Sequence, residues 1–369
     1  MGKKDKKVKF NKKHILKILL VGLVVSLMVI FGVKLYKNYQ LSKASTMSFK
    51  EALVTTTRND KNAVITVGTI KNEKIDYTVY GKDGKILPKK THVYEIGSLT
   101  KTFTAALVAK AISEGKIDLK ASIADYLDLP RDKNYPSIEE LLTHTSGYKA
   151  HYIEGPMIVN MLSGQNPFYD ISDEMLQKKV ADITLSADDY NFSYSNFGFA
   201  VLGQILEKVY GQDYQSLLND FSQTELGLTH TKISKQDGDL GHYWKWKSDD
   251  AYLSAGAVTS DIVDMLSYAK MQLDGEKYFL ESHRSLKKID ANSEQYQKMG
   301  IRLDEIGMAW FIDKDKKIIW HNGGTSHYNA YLGFNTKTNI AVVVLSNLAP
   351  EKRISATILG IKKLNELSE

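Results

Sequence analysis

An uncharged run of sixteen residues, 18–33, constrains the architecture most, because it lies near the N-terminus between Lys17 and Lys34. Extended to residues 15–36, it would form a helix of about 33 Å, enough to cross a hydrocarbon core of about 30 Å. The alternatives are a buried core helix and a cleaved secretory signal, with a weak small-residue cleavage match at residues 42–44. We predict a transmembrane helix over residues 15–36.

Charge is distributed unevenly around this run. Residues 1–50 contain twelve Lys and one Asp, so the rest of the chain carries about −5 of the formal net charge of +6. Seven Lys precede residue 15, and the positive-inside rule therefore makes residues 1–14 a basic cytoplasmic tail. Residues 37–50 are a polar linker, and residues 51–369 form an extracytoplasmic domain. This single-pass arrangement predicts a protein of the cell membrane with its N-terminus in the cytoplasm.

Composition excludes several classes of function. The mildly acidic main domain lacks the basic face that nucleic-acid binding requires, so we expect no nucleic-acid partner. The chain has no Cys, which excludes disulfide frameworks, thiolate zinc sites and a cysteine nucleophile.

The predicted strands lie at the two ends of the main domain, and helical periodicity fills the middle. The β-rich segments are residues 63–70, 74–80, 306–312, 317–321, 330–334 and 340–345, and the helical ones are residues 102–112, 137–143, 197–210, 260–273 and 353–367. We predict an α+β fold. Strands from both ends would form one antiparallel sheet flanked by helices, with a helical subdomain inserted between them.

The first candidate for chemistry is the S-x-x-K motif Ser98-Leu99-Thr100-Lys101. It is followed by helical periodicity, so the spacing of three places both side chains on one helix face. A serine hydroxyl becomes a nucleophile when a nearby base takes its proton, and a desolvated lysine can be that base. An N-capping serine with a solvated lysine is the alternative. Four further matches to the motif, at Ser113, Ser146, Ser267 and Ser285, lack this context.

Two further motifs follow in the chain. Tyr194-Ser195-Asn196 precedes an apolar helix, where a tyrosine can relay protons and an asparagine can bind a substrate carbonyl. The segment His321-Asn322-Gly323-Gly324 closes a predicted strand, where the two glycines would let a substrate approach the strand edge, so Gly323 is a candidate substrate-binding residue. A core tyrosine, a helix cap and a simple strand-end turn are the alternatives.

Together, in this order, the motifs resemble those of the serine β-lactamase and penicillin-binding protein superfamily, in its class C β-lactamase and D-alanyl-D-alanine peptidase branch. Residues 95–104, 141–148 and 253–261 also agree with the family, and the resemblance extends over about residues 64–345. It implies the β-lactamase/transpeptidase fold for the main domain.

The resemblance also implies roles for the candidate residues. Ser98 would be acylated, Lys101 and Tyr194 would share proton transfer, and Asn196 would orient the substrate. The backbone N–H groups of Ser98 and Gly324 would form the oxyanion hole.

One position departs from the pattern of the family. His321 stands where β-lactamases have lysine, and the resemblance gives it the role of docking the substrate or Tyr194. With an ordinary pKa near 6.5, the imidazole is expected to be partly charged at neutral pH. A weaker cation disfavours capture of a substrate carboxylate.

Other kinds of site receive little support. There is no H-E-x-x-H, P-loop or G-x-G-x-x-G motif, and His321 and His327 lack an obvious third ligand, so we expect no metal and no cofactor. His144 is expected to be a hydrogen-bonded, buried loop histidine. The aromatic residues Tyr243, Trp244, Trp246 and Tyr252 could line a cleft or cover the helical subdomain.

The sequence therefore predicts a membrane-anchored serine hydrolase of the cell envelope that forms an acyl-enzyme. Its substrate would be a D-alanyl ester or D-alanyl peptide of the cell wall, including teichoic-acid-type polymers, and an esterase or carboxypeptidase is favoured over a β-lactamase. The alternative from another class is a catalytically silent penicillin-binding or sensor module.

Overall fold

The structure, a computed structural model, describes residues 43–234, 238–349 and 354–369. The predicted cytoplasmic tail and transmembrane helix lie outside these residues. None of the helices within them has the length and apolar character needed to cross a bilayer.

Residues 47–369 form one compact unit. Its first helix begins at Phe49, where the Ser48 hydroxyl accepts the Glu51 N–H and the Glu51 carboxylate accepts the Ser48 N–H in return. The Met47 carbonyl accepts a hydrogen bond from Lys362. The domain therefore starts at residue 47, four residues before the predicted boundary, because this capping box lies in what was predicted to be linker.

Ten strands occur in the described chain. They are β1 Ile65–Lys71, β2 Lys74–Tyr80, β3 Tyr94–Glu95, β4 Thr259–Ser260, β5 Lys287–Lys288, β6 Glu305–Ile306, β7 Phe311–Asp313, β8 Ile318–Gly324, β9 Asn329–Asn335 and β10 Ile340–Ser346. Eight of them form one sheet in the order β2-β1-β10-β9-β8-β7-β6-β5, and β3 and β4 form a separate pair. All pairs are antiparallel. The pairing of N-terminal β1 with C-terminal β10 confirms the predicted closure of the sheet.

Helices fill the segment between β3 and β5 and flank the sheet. The α-helices are α1 Phe49–Thr56, α2 Thr100–Ser113, α3 Ile138–Leu142, α4 Gly155–Leu162, α5 Asp173–Asp182, α6 Asn196–Tyr210, α7 Tyr214–Asp220, α8 Leu253–Gly256, α9 Ile262–Asp274, α10 Phe279–Ser282, α11 Glu294–Lys298 and α12 Ala356–Ser368. Short 3₁₀ helices span Lys82–Gly84, Gly97–Leu99 and Ile123–Asp125, and a π-helix spans Phe221–Glu225. The α+β class and the inserted helical subdomain are confirmed.

Helices α9 and α12 cover opposite faces of the sheet. A Cβ on Gly68 would meet Ile262 and Leu266 of α9, and the register places Gly68 on the same face as Leu332 of β9. Tyr331, which precedes Leu332, lies on the other face, against Gly360 of α12. All seven residues of β10 are therefore buried.

One predicted strand is divided in two. Residues 306–312 were expected to be continuous, but Gly307 donates to the Trp310 carbonyl and Ala309 adopts φ +68° between β6 and β7. The Ala309 N–H donates to the Leu142 carbonyl at the end of α3. This tertiary hydrogen bond holds the turn and separates the two short strands.

Candidate active site

Ser98 lies in the 3₁₀ turn Gly97–Leu99, which leads directly into α2. Ser98 is partly exposed, whereas Lys101, in the first turn of α2, is completely buried. Their shared helix face brings Lys101 Nζ to 3.1 Å from Ser98 Oγ. The contact predicted from the S-x-x-K spacing is therefore present.

Two oxygens surround the Lys101 amine in addition to the serine. Nζ donates to Asn196 Oδ1 at 2.7 Å and to the Ala255 carbonyl at 2.7 Å. Burial lowers the pKa of Lys101 well below its ordinary value. A neutral amine has two N–H groups, which these two oxygens accept, and its lone pair then points to Ser98. This is the geometry of a general base for the serine hydroxyl.

The loop with Tyr194 and Asn196 is fixed at the start of α6. The helix is capped by Ser195, whose hydroxyl accepts the Gly198 N–H at 2.9 Å, and the Asn196 N–H donates to the Ala150 carbonyl at 3.0 Å. Because the backbone is held in this way, the Asn196 side chain is free to reach Lys101.

His144 packs against the same loop and holds its backbone. It is buried with φ +56°, its Nδ1 accepts the Ser195 N–H at 3.0 Å, and its ring lies 4.4 Å from that of Tyr194. The expectation of a hydrogen-bonded, buried loop histidine is confirmed.

Tyr194 keeps its proton and can therefore act as a general acid. Burial raises its pKa above the ordinary value of 10, although a hydrogen bond with Ser98 opposes that shift. Its ring centroid lies 5.1 Å from Lys101 Nζ. The phenol is therefore protonated at neutral pH, so Lys101 suits removal of the serine proton and Tyr194 suits donation to a leaving group.

His321 points from β8 toward the face of the sheet that α9 covers. Its register partner Leu332 lies on the face that α9 covers, whereas the neighbouring Asn322 turns to the other face and donates to Thr357 of α12 at 2.8 Å. The His321 ring stacks on Phe311, with centroids 5.2 Å apart, and lies 6.4 Å from the Tyr194 ring.

The prediction that His321 is partly charged at neutral pH is wrong. The side chain is completely buried, and burial, with a smaller effect of Lys101, lowers its pKa to about 3. Nδ1 donates to the Asn322 carbonyl at 2.6 Å, and Nε2 has no hydrogen-bond partner among the described residues. At neutral pH His321 is therefore an uncharged acceptor.

The two candidate oxyanion-hole N–H groups meet at a close contact between backbones. A Cβ on Gly323 would lie 1.8 Å from the Ile96 carbonyl oxygen and 2.7 Å from the Ser98 nitrogen. A Cβ on Gly97, where φ is +51°, would lie 2.5 Å from the Gly324 nitrogen. Gly323 thus positions β8 against the Ser98 turn, and its contact with substrate stays a prediction.

Glu95 is a site residue to which no role was given from the sequence. Its carboxyl is 4% exposed and accepts hydrogen bonds from Thr325 Oγ1 at 2.6 Å and from the Trp244 N–H. Burial raises its pKa to about 7. It joins β3, the turn after Gly324 and the loop with Trp244, and its position three residues before Ser98 was the only signal in the sequence.

The aromatic residues mostly cover the subdomain. Tyr252 stacks on Phe168, Trp246 is buried, and Tyr243 donates to the Val93 carbonyl at 2.7 Å. Trp244 is partly exposed, and its indole N–H donates to Ser326 Oγ at 3.2 Å, so it borders the site.

A model of the beta-lactamase family matches residues 52–362. The chain belongs to the beta-lactamase family. With Ser98, Lys101, Tyr194 and Asn196 brought together as described, this family membership makes it a serine hydrolase.

Relatives and solved structures agree with the family. Protein flp of Staphylococcus aureus is 23% identical over 314 residues, which cover 76% of this chain and 59% of flp. The chain thus spans about three-fifths of the length of this relative. A penicillin-binding protein homologue from Pyrococcus abyssi has a TM-score of 0.67 at 20% identity, with 83% of this chain and 73% of the homologue covered. A beta-lactamase/D-alanine carboxypeptidase from Yersinia pestis also has a TM-score of 0.67, at 18% identity. The match covers 90% of this chain and 99% of the Yersinia protein. These likenesses show that the beta-lactamase fold is shared.

Proposed function

We propose that the chain is a membrane-anchored esterase that removes D-alanyl groups from cell-wall polymers, and that it cleaves D-alanyl peptides more slowly. The main support is the imidazole of His321, which is buried at the site and uncharged at neutral pH. The predicted helix over residues 15–36 would hold the enzyme beside polymers of the wall or of the membrane surface.

The chemistry of the substrates explains this preference. A D-alanyl ester has an ammonium group next to the reacting carbonyl, and its leaving group is an alcohol without a carboxylate. A D-alanyl-D-alanine peptide and a β-lactam both present a carboxylate, which a neutral imidazole does not attract.

The reaction proceeds in two halves. Ser98 Oγ attacks the ester carbonyl while Lys101 takes its proton, and the N–H groups of Ser98 and Gly324 stabilise the negative oxygen. Collapse of this intermediate expels the polymer hydroxyl, which receives a proton from Tyr194. Water then attacks the acyl-enzyme by the same steps in reverse and releases D-alanine and free Ser98.

A structural neighbour is named as a beta-lactamase/D-alanine carboxypeptidase, which supports a substrate that contains D-alanine. It does not distinguish an ester from a peptide, and the experiment must do so.

The test compares three substrates with the full chain in membranes. We expect D-alanine release from D-alanylated teichoic acid to be fastest, release from a D-alanyl-D-alanine peptide slower, and hydrolysis of a chromogenic cephalosporin slowest. Ser98→Ala is the inactive control for all three substrates. His321→Lys should raise cephalosporin acylation relative to ester hydrolysis, whereas the neutral control His321→Gln should not. Fast cephalosporin hydrolysis without D-alanine release would make the chain a β-lactamase.

A further inference from the structure

Helix α4 buries Met157 but turns most of its apolar side chains to solvent. Large apolar residues of this segment are 50–85% exposed, and we call them the apolar rim: Ile153, Ile158, Val159, Met161 and Leu162. The buried side of the helix includes Asn160, which donates to the Tyr169 carbonyl at 2.7 Å. A surface helix normally buries its apolar face, so the apolar rim has the polarity of a surface that meets an apolar partner.

The rim differs from the rest of the described surface. The remaining large apolar residues that are strongly exposed are scattered singly, at Ile75, Ile86, Val263, Leu280 and Tyr296. Single exposed residues of this kind are ordinary. Residues 155–168 also contain no charged residue, although a quarter of the chain is charged.

The segment that precedes the rim contacts the active-site loop. The Ala150 carbonyl accepts the N–H groups of Asn196 and Phe197, and the Tyr152 ring packs edge-to-face on Phe197 at 4.7 Å. The segment then continues into Ile153 and α4. The rim therefore directly follows the segment that holds Asn196 in place.

We propose that the apolar rim docks on the lipid bilayer that anchors the chain, so that Ser98 acts on acyl groups of polymers held at that surface. This inference rests on the proposed function, whose substrate class it narrows to membrane-linked polymers.

The length of the tether favours a bilayer over other occupants. The predicted span ends at residue 36 and the compact unit begins at Met47, so ten residues join them and reach at most about 35 Å. A domain of this size is about 50 Å across. The tether therefore keeps the domain against the membrane at a high effective concentration. Apolar side chains in such a position partition into the headgroup and acyl boundary.

The first experiment measures contact with lipid directly. Since the chain has no Cys, Val159→Cys can be labelled alone with an environment-sensitive fluorophore in the full chain in liposomes. The matched control is Leu280→Cys, which replaces an exposed apolar residue of α10. We expect lipids with quenching groups to reduce emission at 159 at least threefold more than at 280. Equal quenching at both positions would overturn the proposal, and so would a change at 159 that depends on protein concentration alone, which indicates a second copy.

The second experiment separates docking from catalysis. Val159→Asp with Leu162→Asp should slow D-alanine release from a polymer carried in liposomes about tenfold, because the rim loses its affinity for lipid. Hydrolysis of a small soluble D-alanyl ester should be unchanged, as it should in the control Leu280→Asp. Equal rates on the liposome polymer with and without the rim substitutions would overturn docking. If the unmodified chain hydrolyses neither substrate while quenching at 159 persists, the proposed function fails and docking stands.

Discussion

At the scale of single residues, burial shifts the pKa values of Lys101 and Tyr194 in opposite directions and so gives them different steps. Lys101 loses its proton more easily than an exposed lysine, and Tyr194 holds its proton more tightly than an exposed tyrosine. The pair therefore provides a base and an acid at the same pH, and both contact Ser98. Neither state could be inferred from the S-x-x-K and Y-x-N motifs, because both result from tertiary packing.

The pH dependence of acylation tests this assignment. A base must be deprotonated, so kcat/KM for a neutral ester should rise with pH through the lowered pKa of Lys101 and reach a plateau well below pH 10.5. Lys101→Arg, a permanent cation, should lower kcat/KM by about 10²–10⁴ and remove this rise. His321→Gln is the control and should keep it. If kcat/KM of Lys101→Arg still rose with pH in the same way, the rise would belong to another group and Lys101 would not be the base.

Glu95 should make stability depend on pH. Its pKa is raised from 4.5 in the unfolded chain to about 7 in the folded one, so ionisation favours unfolding as pH increases between these values. The cost reaches about 3 kcal/mol above pH 7, and it is absent below pH 4.5, where both states are protonated.

Glu95→Gln should remove this cost. Urea unfolding at several pH values should therefore show a smaller loss of stability between pH 4.5 and 7 in Glu95→Gln than in the unmodified chain. Parallel curves for the two proteins would contradict the buried, raised carboxyl.

At the scale of secondary-structure elements, the sequence predicts most of what positions the site. The hairpin of β1 and β2, the buried β10 and helix α9 follow from periodicity and turn residues. The split of residues 306–312 does not, because Ala309 is not a usual residue for positive φ and its turn is held by a hydrogen bond that its N–H donates to the end of α3. The role of Gly323 also depends on a distant segment, the Ser98 turn.

Gly323→Ala tests the junction between β8 and that turn. The added Cβ would lie 1.8 Å from the Ile96 carbonyl oxygen, a backbone atom that cannot rotate away. We expect a loss of about 2–3 kcal/mol in the free energy of unfolding. We also expect the acylation rate of the protein that remains folded to fall. Gly155→Ala, where a Cβ meets nothing within 4 Å, is the matched control and should change neither. Full activity in Gly323→Ala would show that the close approach is not required.

At the scale of the whole molecule, the sequence brings the right residues to one site but does not show what surrounds them. Lys101 bonds to the Ala255 carbonyl 154 residues away, and Glu95 to Thr325 230 residues away. Burial among segments this far apart shifts the pKa of both groups, and the spacing of residues in the sequence does not show it. The expected charge of His321 was wrong for the same reason.

Membrane topology is testable at this scale. With seven Lys before residue 15, an N-terminally tagged chain should keep its tag inside the cell. Protease added outside intact cells should cut residues 37–46, release the domain and leave a short tagged fragment with the cells. A chain that is cut only after the cells are opened would contradict this orientation. A mature N-terminus near residue 45 would indicate a cleaved signal.

The central claim is that Ser98 becomes acylated, and peptide mass spectrometry after reaction with a fluorophosphonate probe tests it most directly. We predict a single adduct on the peptide with Ser98 and none in Ser98→Ala, while the thermal transition of Ser98→Ala stays nearly unchanged, since this side chain is partly exposed. Labelling that persists in Ser98→Ala and maps to another S-x-x-K serine, such as Ser113 or Ser146, would contradict the account.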